Sequence, residues 1–248
     1  MIQGETAVVS EQDQLDISDL RSRFENAYPQ EVLRWATSTF GEKLAVVTSF
    51  GPTGIVTLHM LHSIAPQTTV LTLDTGLLFP ETYRLIDEIE ERFRLNLIRV
   101  RPQLSVKEQA SQHGDALWER DPDSCCMMRK TVPLGEALDG YAAWIAGVRR
   151  DQSSQRASTP IIAREPRYGR VKINPLATWD EDMVWTYIRT HDLPYNKLHD
   201  QGYPSIGCLT CTKAVTASEY TREGRWAGRG KTECGIHLPA LNAFGGAS

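Results

Sequence analysis

At 248 residues and 41% hydrophobic, the chain can bury a sizeable core, which favours one large α/β domain over two small ones. A net charge of -4 gives no general attraction to nucleic acid, and no apolar run reaches the roughly eighteen residues of a membrane span. The opening Met1-Ile2-Gln3-Gly4-Glu5 lacks the basic-then-apolar pattern of a secretory signal. The expectation is therefore a cytoplasmic protein with reduced thiols, whose five cysteines serve metal binding or thiol chemistry rather than disulfides.

Residues 1–16 are polar and unpatterned, and are expected to form a flexible N-terminal arm. A short helix follows Ser18, with Leu20, Phe24 and Tyr28 on one face, and Gln30 to Phe40 reads as a second helix stopped by Gly41. The apolar run Leu44 to Ser49 is a strand. It ends in Phe50-Gly51-Pro52-Thr53-Gly54 before a helix over Ile55 to Ile64. Val70 to Asp74 repeats the pattern, with Thr75-Gly76 as the turn and Pro80 opening a helix that runs to Phe93. Leu97 to Val100 and Ala143 to Gly147 give a third and a fourth strand. Short continuous apolar strands alternating with helices indicate an α/β fold, a parallel sheet with helices on both faces. Ligands of such sheets bind beyond the carboxyl ends of the strands, where the loops after Thr48, Leu73 and Ala146 converge.

Ile161 to Pro175 reads as a hairpin, and Thr178-x-x-Glu181 as a capping box opening a helix with Val184, Tyr187 and Ile188 inward. From Gly202 to Gly235 the chain is rich in Gly, Thr, Arg and Cys, which suggests a ligand-binding loop followed by a flexible arm.

The loop Ser49 to Gly54, between a strand and a helix, suits a phosphate held by backbone N–H groups and a hydroxyl, though it lacks the Gly-Lys-Ser/Thr ending of a Walker loop. Leu73-Asp74-Thr75-Gly76 suits a nucleoside contact; each loop taken alone reads equally as an ordinary turn. Arg149, Arg150 and Arg156 follow the fourth strand, and guanidinium groups gathered in one loop favour phosphate or sulfate, with a solvated charged loop as the alternative. Cys125 and Cys126, adjacent on a helix, point about 100° apart. Both reach one ligand only if it is large or the backbone is bent, which suits an iron-sulfur cube better than one zinc ion. Cys208-Leu209-Thr210-Cys211 has chelating spacing and completes four thiolates, the alternatives being zinc or four buried structural cysteines. Arg129 and Lys130 would offset the cluster's charge. Cys234 stands apart as a candidate nucleophile. Its thiol needs a depressed pKa, for which Lys231, Arg229, Arg225 and His237 are the nearby candidates in sequence, and Gly224, Gly228, Gly230 and Gly235 give its arm freedom to swing.

Taken together, Leu73-Asp74-Thr75-Gly76, Cys125-Cys126-x-x-Arg129-Lys130, Gly147-x-Arg149-Arg150, Cys208-x-x-Cys211, Arg222-x-x-Arg225-Trp226 and Lys231-Thr232-Glu233-Cys234-Gly235-x-His237 resemble the assimilatory sulfonucleotide reductases, from about Phe40 to His237. The resemblance is specifically to the iron-sulfur type that reduces adenosine 5'-phosphosulfate (APS) with thioredoxin. The resemblance implies an adenine-nucleotide α-hydrolase-like fold and a [4Fe-4S] cluster on Cys125, Cys126, Cys208 and Cys211 that does not shuttle electrons. It also implies attack by Cys234 on the sulfur of APS, with release of sulfite by thioredoxin or a glutaredoxin-like reductant. Ser49, Asp74, Thr75 and Gly76 would line the adenylate site, and Lys130, Gly147, Arg149, Arg156, Arg222 and Arg225 would surround the phosphosulfate. The organisation that follows is an arm over 1–16, a nucleotide-binding reductase domain with the cluster site over 17–215, and a mobile arm with the catalytic cysteine over 216–248. Neither a nucleic acid nor a membrane partner is implied, and homo-oligomers are common among such relatives. The first loop departs from the relatives' Ser-x-Ser-Gly-Ala-Glu type, lacking the second hydroxyl and the acid. Alternatives are reduction of the 3'-phosphorylated substrate (PAPS), an ATP-dependent thiolation enzyme of the same fold, and a cluster-bearing sensor without turnover.

Overall fold

The computed structural model describes residues 15–215, 222 and 224–237. Of the two expected arms, 1–14, 216–221, 223 and 238–248 lie outside the described residues. The apolar runs form strands β1 (Leu44–Val47), β2 (Thr69–Leu73), β3 (Leu97–Val100) and β4 (Ala143–Ala146), and the hairpin supplies β5 (Ile162–Glu165) and β6 (Arg170–Ile173). They make one sheet in the order β3-β2-β1-β4-β6-β5, parallel throughout except for β5 against β6. The hairpin thus extends the main sheet.

Alternation along the strands divides the core. Leu44, Val46, Ala143 and Ile145 face one layer, built with α1 (Ile17–Phe24), α2 (Pro29–Phe40), α3 (Pro52–His62), α4 (Pro80–Phe93) and α9 (Glu181–Thr190). Ala45, Leu71, Trp144 and Ala146 face the other, against Leu134 and Leu138 of α8 (Val132–Leu138) and Ile236 of the C-terminal arm. Each large side chain fully buried here contributes about 1.5–3 kcal/mol of transfer free energy.

Between β3 and β4 lie four helices: α5 (Val106–His113), opened by a Ser105–Glu108 capping box, α6 (Leu117–Arg120), α7 (Pro122–Cys126) and α8. A π turn over Met127–Thr131 joins α7 to α8. Local expectations need three corrections. Tyr28 is 76% exposed, not on the inward face of α1, because the following Pro29 holds it extended at φ -66, ψ 143 beyond the helix end. Helix α3 starts at Pro52, since proline is well suited to a first helical position. The cap of α9 is Asp180, whose carboxylate accepts from Met183 N at 2.8 Å, so the Thr178 box does not form.

Candidate active site

From β1 the chain runs outward through β2 and β3, and in the other direction β4 lies beside β1, so the order reverses between these two central strands. Such a switch point opens a crevice at the strand ends. After β1, Phe50 adopts φ 56 while its ring is 1% exposed, and its N–H donates to Thr48 Oγ1 at 3.0 Å. A buried aromatic held in the left-handed region marks a loop fixed by its surroundings. Gly147 lets the loop after β4 approach, since a Cβ there would sit 3.3 Å from Gly54 N, and a Cβ on Gly54 would collide with Thr48 Oγ1. The N-terminus of α3 therefore faces a cleft of about 250 Å³ lined by Ser49, Thr75, Lys130, Gly147, Arg149, Arg156, Arg222, Arg225 and Cys234.

Asp74 and Gly76, expected at the adenylate, are not among the lining residues. The Asp74 carboxylate instead accepts from Tyr83 Oη at 2.7 Å, Gly76 N at 3.1 Å and Arg101 Nε at 3.0 Å. Burial works to raise its pKa, but these donors hold it below the usual value, and it shapes the loop that presents Thr75. Gly76, at φ 70, turns that loop over Arg129, whose Nε donates to Thr75 O at 2.6 Å.

The arginines divide by partner. Arg150 turns away from the cleft to a bidentate pair with Glu25 at 2.5 and 3.0 Å, tying the body to the end of α1. Its expected place beside an anion is therefore not taken. Arg149 donates to Thr53 Oγ1 at 2.6 Å and to both Asp151 oxygens at 2.9 Å. Arg156 and Arg222 both bond Glu233. Arg225 lies 4.5 Å from the Trp226 ring centre, in space that only a glycine at 207 leaves open.

The described part of the C-terminal arm packs on the body. Trp226 is 2% exposed, its backbone N–H donating to Cys211 O at 3.0 Å, and Arg229 donates to Trp118 O at 2.7 Å. Lys231 pairs with Asp123. Ile236 enters the core beside Trp144, and His237 stacks on that indole with Nδ1 3.1 Å from Lys172 Nζ. Half-buried Cys234 touches both this layer and the cysteine-lined region. Burial pushes its thiol up, but Lys130, the Ile236 N–H and Arg222 bring it below its ordinary value. The charges that do this are thus Lys130 and Arg222. Lys231 and Arg229 are engaged elsewhere, and His237 is held neutral by burial and by Lys172, whose own pKa burial lowers to about 8.

Cys125 and Cys126 close α7 at its junction with the π turn, where the helical register widens. Together with Cys208 and Cys211 they line a second, smaller cavity, and all four are buried and free of disulfides. Thr75 Oγ1 lies 3.4 Å from Cys208 Sγ, and Gln109 Nε2 and Arg229 Nη1 lie 3.9 Å from Cys125 and Cys211. Among the described residues no three His, Cys, Asp or Glu side chains are placed to hold a single metal ion. Lys130 and Cys208 border both cavities; burial works to lower the Lys130 pKa, but the neighbouring Cys208, Cys126 and Cys234 sulfurs raise it above its ordinary value. Glu233, Trp226 and Ile236 were not singled out from sequence for any role. An acid beside a candidate thiolate needs cations of its own, and that was the available signal for Glu233.

Among the described residues no helix is long and apolar enough to cross a membrane. The phosphoadenosine phosphosulfate reductase domain family matches residues 43–214. A Salinibacter ruber protein named adenosine 5'-phosphosulfate reductase is 54% identical over 89% of this chain and 88% of its own length, and a Bacillus subtilis protein of that name is 46% identical over 83% and 89%. Among solved structures, the phosphoadenylyl-sulfate reductase of Candida auris is 36% identical with a TM-score of 0.71, covering 80% of this chain and 96% of that one. An FMN adenylyltransferase from Candida glabrata, 14% identical at a TM-score of 0.54 over 88% and 77%, shares the fold. The sheet is that of the adenine-nucleotide α-hydrolase-like fold, and the chain belongs to the phosphoadenosine phosphosulfate reductase family.

Proposed function

We propose that the protein reduces adenosine 5'-phosphosulfate to sulfite and AMP in sulfate assimilation, with Cys234 as nucleophile. The carrying observation is that Cys234 borders the cation-lined cleft at the switch point, with its pKa depressed by Lys130 and Arg222. The substrate assignment rests on relatives 44–54% identical that bear the APS reductase name, against 36% for the neighbour named for PAPS.

The nucleotide enters between Ser49 and Thr75, its phosphosulfate toward Lys130, Arg156, Arg222 and Arg225. The Cys234 thiolate attacks the sulfate sulfur. An Sγ–S bond forms, the bridging S–O bond breaks, and its electron pair leaves on the phosphate oxygen of AMP, which the cations stabilise without a general acid. A thiolate of thioredoxin or a similar dithiol then attacks Cys234 Sγ and expels sulfite, and the second thiol of that protein resolves the mixed disulfide. Sulfur is reduced by two electrons and the dithiol is oxidised to a disulfide. Residues 224–237 leave the body between the two attacks, since one thiol faces a cleft first and a protein partner second.

Cys125, Cys126, Cys208 and Cys211 fit a [4Fe-4S] cluster. These four side chains offer sulfur around one cavity without converging on a point, and among the described residues the buried Trp226 Nε1 beside them has no acceptor. When bound, the cluster supplies fixed charge beside Lys130 rather than electrons. To test the proposal, anaerobic protein is mixed with APS and no reductant, and its intact mass is measured. One added sulfonate on the Cys234 peptide is expected. Cys234→Ser forms no adduct and no sulfite yet binds AMP, and turnover in that variant sinks the reading.

A further inference from the structure

Glu233 adjoins the nucleophile and is the only acid in the described arm after Arg222. An acid there opposes the thiolate, and Glu233 does push the Cys234 pKa upward. In the structure that acid is paired. The Glu233 side chain is 2% exposed, and its two oxygens take Arg156 Nε at 2.8 Å and Nη2 at 2.7 Å as a parallel fork. Arg222 Nη2 adds a third bond at 3.0 Å and also reaches Thr232 O at 3.1 Å. Arg156 is fixed from behind by Gln152 Oε1 at 2.5 Å, in the turn that follows β4. Both arginines line the cleft, whereas Glu233 does not. Each guanidinium therefore has one side toward the cleft and another toward the residue next to the nucleophile.

From this geometry, and on the reading of Cys234 as nucleophile, we propose that Glu233 is a positioning residue for the first chemical step. Its carboxylate clamps the arm to Arg156 of the body, holds Arg222 of the arm against the same carboxylate, and so sets Cys234 Sγ over the cleft, in the same place that those arginines hold the substrate's anionic group. The clamp is polar and has no covalent part, so it opens when the arm leaves. It differs from the contact of Ile236 and His237 with Trp144, which anchors the arm on the far side of Cys234 by packing. A buried fork of this kind loses its counter-charge when the acid is neutralised, leaving two arginines facing one another.

The test compares Glu233→Gln and Glu233→Asp with the parent, all as anaerobic holoenzyme. Three quantities are read: AMP affinity, the rate of S-sulfonate formation at saturating APS, and the rate at which N-ethylmaleimide labels Cys234, located by peptide mass. In Glu233→Gln, S-sulfonate formation falls on the order of 10²-fold, as for a reacting group misplaced by about 1 Å. Maleimide labelling rises by at least about tenfold while AMP affinity stays within about threefold. Glu233→Asp, which keeps the charge and withdraws it by one methylene, lies between the two. Parent rates of sulfonation and labelling in Glu233→Gln overturn the proposal. So does a fall in AMP affinity equal to the fall in sulfonation, which would make Glu233 part of the binding wall. If the Gln variant does not fold, the Asp variant decides by the same criteria. Absence of S-sulfonate in the parent itself would count against the reaction, and the labelling comparison would still decide the clamp.

Discussion

The two halves of the site are held by different forces. The cleft wall is made by backbone: parallel strands β1 and β4 in register from Leu44↔Ala143 to Val47↔Ala146, a left-handed Phe50, and glycines at 54 and 147 that let loop and helix touch. The arm begins with a short backbone pairing of 224–226 against 211–213, and from 229 to 237 it meets the body through side chains, with Ile236 packed and Arg229, Lys231, Glu233 and His237 paired across the contact. Strand-end loops move only if the sheet does, whereas a handful of side-chain contacts can be exchanged for water or a partner. The proposed reaction, in which one thiol meets a bound nucleotide and then another protein, calls for this division between fixed binding and releasable chemistry.

Lys130 is where the two halves meet, and its removal is expected to have the largest effect. It borders both cavities and is the leading charge that lowers the Cys234 pKa. Lys130→Met is expected to slow S-sulfonate formation by on the order of 10²–10³-fold at saturating APS, with iron content measured alongside. Rates within about threefold of the parent would mean that the arm carries its own activation and that the halves are independent.

The wall is broken from the other side by Gly54→Ala. The new methyl collides with Thr48 Oγ1, so that hydroxyl must turn away from Phe50 N or the loop after β1 must shift from α3. The variant should lose about 1–3 kcal/mol of stability in denaturant titration, and AMP affinity should fall in step. Loss of Cys234 reactivity at unchanged AMP affinity would show that the wall and the arm had been divided wrongly.

The same division explains what the sequence made legible. Apolar runs at 44–49, 70–74, 97–100 and 143–147 disclosed the wall, because a doubly covered parallel sheet writes itself as continuous local hydrophobicity. The cysteine pairs were legible for a similar reason, since chelating spacing is local. Residue types fixed by distant pairing were not. Arg150 looked like a phosphate ligand, but its partner Glu25 lies 125 positions away, and Arg156 meets Glu233 across 77. Nor did the sequence show that the Asp74 carboxylate takes donors from Tyr83 and Arg101 as well as from its own turn at Gly76. No periodicity announces the π turn after Cys126, because one widened turn leaves the apolar spacing on either side intact.

A smaller effect separates the two candidate caps of α9, which packs against α3. Asp180→Ala should cost about 1 kcal/mol in denaturant titration and Thr178→Ala much less, because only the Asp180 carboxylate accepts from Met183 N. Equal costs would restore the Thr178 box. Neither variant alters maleimide labelling of Cys234, since the cap lies on the wall side.

The smallest effect belongs to a pair outside both halves. Glu25 and Arg150 form a bidentate bridge with side-chain exposures of 44% and 29%, so solvent screening limits its contribution to about 0.2–1 kcal/mol. The Arg150 hydrogen bond outweighs desolvation and holds the Glu25 carboxyl below its ordinary 4.5. The folded state therefore binds that proton more weakly than the unfolded chain. The bridge's contribution is fully present above about pH 4.5 and is lost as the pH falls through the depressed folded value. Glu25→Gln should lower stability at pH 7 by no more than that amount and flatten the parent's loss of stability below pH 4.5, with AMP affinity and sulfonation unchanged. A fall in AMP affinity in this variant would return Arg150 to the anion site from which its pairing with Glu25 removes it.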